Sequence, residues 1–110
     1  MSAFFDSEII KDALEDINKL QEDVYGKLVH FHLMNHDEQV DHVSKLTELL
    51  DKQRIMYTRL SLSDDPDAVI MKESLNKTVT MMGYPEGTDI AVLFKNMHAT
   101  IDALKEFLEA

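Results

Sequence analysis

The stretch from Lys45 to Leu60 carries a strong apolar stripe and most of the close-set basic residues. It is closed by Ser61-Leu62-Ser63-Asp64-Asp65-Pro66, a helix stop followed at once by a helix start. An aspartate ahead of a proline marks a new N-terminus. The carboxylate accepts from an orphan amide, and the proline ring pre-sets the first helical dihedral. A chain broken this way must fold back on itself. The expected layout is one long partner helix before this stretch and two shorter helices after it.

The apolar spacing fills in that layout. Ile10, Leu14, Ile17, Leu20, Val24, Leu28 and Phe31 predict a first helix running to about Met34. Within it Ile10, Ile17, Val24 and Phe31 lie seven apart, as near-antiparallel bundle packing requires. Asp6 or Ser7 is the expected cap; with Asp6, Phe5 and Ile10 would form a hydrophobic staple. Gly26 costs about 1 kcal/mol against alanine, so it marks either a bend or a close crossing. Asn35 reads as the residue closing this helix and Asp37 as the cap of the next, from about Glu38 to Leu60. Two long helices joined by so short a turn form an antiparallel hairpin. The third helix is expected from Pro66 to about Met81. After the breaker-rich loop Gly83-Tyr84-Pro85-Glu86-Gly87, Thr88 is the expected cap of a fourth, with apolar residues from Ile90 to Leu108. No strand pattern competes. The predicted fold is all-α: an antiparallel bundle of four helices, two long and then two shorter, in one domain over 1–110.

Charge narrows the function classes. With 21 acidic against 11 basic residues the net charge is −10, which disfavours direct binding to a nucleic-acid backbone. The acid is uneven: residues 1–34 hold 7 acidic and 3 basic groups, residues 37–60 hold 5 and 4. The second helix is therefore the least repulsive surface toward an acidic partner, including another copy of the chain. Cysteine is absent, which removes disulfides and thiolate chemistry together. No signal segment or apolar run of spanning length is present, so a soluble, cytoplasmic protein with no membrane contact is expected.

Four of the five histidines cluster at His30, His32, His36 and His42 among Asp37, Glu38 and Asp41. Imidazoles beside carboxylates suit zinc or nickel, which makes His32, His36 and His42 the alternative metal set. The cluster straddles a predicted turn, and a solvated histidine-rich turn is the preferred reading. His98 stands alone. The paired carboxylates, such as Glu15-Asp16 and Glu22-Asp23, fall opposite the apolar stripe and read as solvated faces. Arg54 and Arg59 flank Met56 and Tyr57. Arginine pairs bidentately and stacks on rings, so Arg54, Tyr57, Arg59, Asp64 and Asp65 form the candidate partner-binding set. The competing reading makes the arginines last-turn cations paired with Asp64 or Asp65. No nucleophile elbow or phosphate loop is present, and no catalytic residue or cofactor is expected.

Three segments carry a resemblance: Ala3-Phe4-Phe5-Asp6-Ser7-Glu8-Ile9, the run Arg54 to Asp65, and Met82-Gly83 followed by Phe94-Lys95-Asn96-Met97-His98-Ala99-Thr100-Ile101. At these places the chain resembles a family of unknown function, short all-helical proteins of cyanobacteria that their phages also encode. It departs from that pattern at Leu60, where the family has an aromatic, and at the longer loop Tyr84–Gly87. The histidine cluster has no counterpart there. The resemblance implies a small helical protein and supplies no activity or cofactor. The leading expectation is a non-enzymatic interaction protein, a homodimer, that binds a host macromolecular complex through a protein partner. The alternatives are a metal binder or metal-dependent hydrolase, and an acidic decoy that mimics DNA.

Overall fold

The computed structural model describes residues 3–110. They form four α-helices, α1 (Glu8–Leu28), α2 (His36–Ser61), α3 (Pro66–Met81) and α4 (Ile90–Glu109), with a 3-10 turn at Phe31–Leu33 and no strand among the described residues.

The helix ends follow from local chemistry, and several differ from expectation. α1 stops at Leu28, six residues short of Met34. His30, Leu33 and Met34 then donate to Lys27, His30 and Phe31, three-residue bonds that tighten the chain. β-Branched Val29 and the run His30-Phe31-His32 are poor helix formers. The turn also lays the Phe31 ring 5.5 Å from that of His42 and lets the Gln39 amide donate to the Phe31 carbonyl. Asn35 does not close α1 but caps α2, and Asp37 lies inside the helix. The Glu38 amide donates to the Asn35 side chain at 2.9 Å, and the Asn35 amide reaches back to the Glu38 carboxylate. That reciprocal pair is a capping box. The cap of α1 is Ser7, so Phe5 and Ile10 do not occupy the staple positions. Asp65 caps α3 ahead of Pro66, as expected. α4 is capped by Asp89 and not Thr88, whose hydroxyl instead donates to the Pro85 carbonyl within the loop. Gly83 and Gly87 have φ of 101° and 87°, a region that side chains with a Cβ rarely enter.

α2 is the hub. It packs against α1, α3 and α4, and α3 also packs on α4. Asp16–Lys52 and Asp23–Lys45 pairs run α1 antiparallel to α2. Tyr57–Asp89 and Asp51–His98 contacts run α4 antiparallel to it as well, so α1 and α4 are parallel to each other. The seven-residue series holds where α1 is helical: Ile10, Ile17 and Val24 are its buried residues. The surface pairs Glu15–Lys19, Asp23–Lys27, Asp41–Lys45 and Glu48–Lys52 also form. All are solvent-exposed, so screening by water leaves each a minor contribution.

The core divides in two. Ile17 and Val24 pack on Leu49 at the α1–α2 seam. Leu50, Tyr57, Leu60, Ala68, Val79, Ile90 and Phe94 form the second cluster, shared by α2, α3 and α4. Since α2 alone contributes to both, the walls that it carries stand apart. The radius of gyration is 15.8 Å, against about 13 Å for a compact chain of this length. The accessible surface is 7449 Å², against roughly 6,200 Å² for a compact monomer of this mass.

Candidate functional site

The residues singled out for partner binding do not form one patch, although Arg54 and Tyr57 border one recess of about 280 Å³ with Asp89. Tyr57 is a core residue, 7% exposed, with its ring 6.1 Å from that of Phe94. Its hydroxyl donates to Asp89 at 2.8 Å. Burial first, and then that carboxylate, push the phenol up to about 12. Asp65 is a structural clasp: one carboxylate oxygen accepts from the Asp67 amide, the other from the Phe4 amide, both at 2.9 Å. Arg54 lies 3.7 Å from Asp51 and not against Asp64 or Asp65. Arg59 borders a small recess with Ala13, Asp16 and Lys52. Five residues at about 100° each set the two arginines some 140° apart around α2, so they cannot grip one ligand together. Asp64 is exposed beside them in sequence only.

Nor do the histidines converge. His32 and His36 are exposed, whereas His42 is 2% exposed and has no hydrogen-bond partner at either ring nitrogen. No group of three His, Asp or Glu able to hold a metal ion occurs among the described residues. Burial, reinforced by Lys27 and Lys45 and opposed by Asp23 and Asp41, holds the His42 imidazole below its ordinary range. His98, read as solitary, is instead a polar link between α2 and α4. Its Nε2 lies 2.9 Å from Asp51 and its Nδ1 3.8 Å from Asp102. The Asp51 hydrogen bond raises its pKa, with burial working against that shift. The His98–Asp102 spacing of four was visible in the sequence; Asp51, 47 residues away, was not.

What the fold does assemble is an apolar slot of about 420 Å³. Leu14 and Ile17 of α1 form one wall, Leu93 and Met97 of α4 the other. Gln53, Met56 and Leu60 of α2 lie between them, while Phe5 and the α3 residues Met71 and Leu75 close one end. No charged residue lines it. A more open hollow of about 530 Å³ lies over α3 and the 83–87 loop, with Glu73, Lys77 and Glu86 on its rim. Its charges are solvated and leave nothing buried to orient a ligand.

Helical spacing continues both walls beyond the slot. Leu14, Asn18, Gln21, Tyr25 and Leu28 recur at 4-3-4-3 along α1, and Leu93, Met97, Thr100, Leu104 and Phe107 recur identically along α4. Neither edge holds a charge, in a chain of net charge −10. The α1 carboxylates Asp16 and Asp23 sit on the other side of that helix, paired with Lys52 and Lys45 of α2.

The Domain of unknown function DUF1825 matches residues 2–108. The chain belongs to that family. No curated protein and no solved structure matches it. The DUF1825 match therefore accounts for nearly the whole chain. No helix among the described residues is long and apolar enough to cross a membrane.

Proposed function

We propose that this DUF1825 protein is a non-enzymatic interaction module that docks a helical protein surface in the slot between α1 and α4. The observation that carries the reading is the pairing of two parallel, uncharged helix edges around an apolar hollow on an otherwise acidic molecule. Helix-in-groove recognition needs apolar walls spaced to admit side chains at helical periodicity. Here both walls repeat at 4-3-4-3 over about 21 Å, the rise of fourteen helical residues. Met56, Met71 and Met97 add unbranched, adaptable side chains to the lining, as suits a surface that must fit a partner. A helical partner would meet this slot and not the Arg54–Arg59 end of α2.

The test compares the two surfaces. Tagged protein is used to capture partners from lysate of its native cell, beside Met97→Glu/Phe107→Glu and Arg54→Ala/Arg59→Ala variants. Met97 and Phe107 are 41% and 77% exposed, so glutamate there leaves the fold intact. Retained proteins should disappear with the first variant and persist with the second. Capture that ignores the slot variant would remove the slot from the reading.

A further inference from the structure

We infer that the slot is closed by a second copy of this chain, each α4 lying in the slot of the other about a twofold axis. The inference rests on the docking reading above and names its partner. Three observations support it. The first is area. The surface exceeds that of a compact monomer of this mass by about 1,200 Å². A standard stable interface covers about 800 Å² on each partner, so the excess is more than enough for one such contact.

The second is self-complementarity. A twofold interface places the same patch on both subunits, so the occupant must be an element the slot itself presents. The outer edge of α4 meets that demand. It begins in the slot at Leu93 and Met97 and continues beyond it, uncharged, with Met97 and Phe107 exposed in the single chain. The third is charge. Two chains of −10 each repel, and association is least opposed where the approaching faces carry no carboxylate. The α4 edge and the α1 edge across from it are such faces. Asp102, Glu106 and Glu109 lie on the flank of α4 turned away from them, where His98 meets Asp51.

The test is mass in solution, read with a cross-link. Light scattering at micromolar concentration should give twice the 12.6 kDa of one chain. Met97→Glu/Phe107→Glu should halve that mass with no change in helical circular dichroism. The chain has no cysteine, so Thr100→Cys, at the midpoint of the α4 edge, installs a single thiol. Antiparallel α4 helices meeting at their centres should join it into a disulfide dimer on mild oxidation. A dimer that survives the glutamate variant and leaves the thiol uncross-linked overturns the inference, because the copies then meet elsewhere. A wild-type monomer overturns it too. Capture that still depends on the slot would then leave the docking reading standing with a different partner, whereas loss of both removes the reading as well.

Discussion

Tyr57 shows how one side chain can hold two elements while its ring also lines the slot. Its ring fills the α2–α4 core, and its hydroxyl ties α2 to Asp89, which also caps α4. Removing the hydroxyl in Tyr57→Phe should cost about 1–2 kcal/mol, seen as a lower urea midpoint with an unchanged slope. The phenol ionises near 10.0 when unfolded and near 12 when folded. Stability from this group is therefore full below pH 10 and falls as the pH rises toward 12. The loss is roughly 2 to 3 kcal/mol. Ultraviolet titration should show one of the three tyrosines ionising last. The two structured histidines act with opposite signs. His42 has a lowered folded pKa, so its contribution is complete above about 6.5 and is lost as the pH falls below that. His98 has a raised folded pKa, so its contribution is complete below about 6.5 and is lost as the pH rises through its folded value. His42→Leu removes a buried ring whose nitrogens have no partner, and it should flatten the acid loss. Urea unfolding of both proteins in mildly acidic and in neutral buffer decides this.

At the scale of elements, two positions separate a helix made by its ends from one made by its middle. Asp65 caps α3 and also accepts from Phe4, which with Phe5 packs on the larger core cluster. Asp65→Ala should therefore cost more than an ordinary cap, about 2 kcal/mol or above, and loosen the N-terminal segment. Thermal melts and amide exchange at Phe4 and Phe5 would register both effects. Gly26 has the opposite character. An added Cβ there meets nothing within 4 Å, and its φ is not positive, so neither a close crossing nor a left-handed turn requires glycine. Gly26→Ala should raise stability by about 0.5–1 kcal/mol, a gain of a few degrees in melting temperature for a domain of this size.

For the whole molecule, the decisive property is that two cores share one helix. α1 packs chiefly on α2 through Ile17, Val24 and Leu49, while α3 and α4 are held on another face of α2. Such a frame leaves its two outer walls apart, and the dimensions of 47 × 34 × 20 Å and the large surface express that openness. If a second copy closes the slot, folding and association are linked. The melting temperature should then rise with protein concentration by mass action. Melts at two well-separated concentrations should differ for wild type and coincide for Met97→Glu/Phe107→Glu.

Residue order alone specified the four helices, the antiparallel hairpin of the first two, and the start of α3 at Pro66. These depend on contacts within a few residues: apolar recurrence at three and four, i,i+4 ion pairs, and an aspartate before a proline. It was less informative where two local signals compete, as when Asn35 fits either the end of one helix or the capping box of the next. That Arg54 and Arg59 point apart follows from the helical period once α2 is placed, but the contact of His98 with Asp51 came from the packing of α4 on α2. The slot belongs to the same class. Leu14 and Leu93 each read as ordinary stripe residues, and their facing one another depends on which side of α2 each helix occupies. That choice is set by packing between residues far apart in the chain, where helical period alone carries no information.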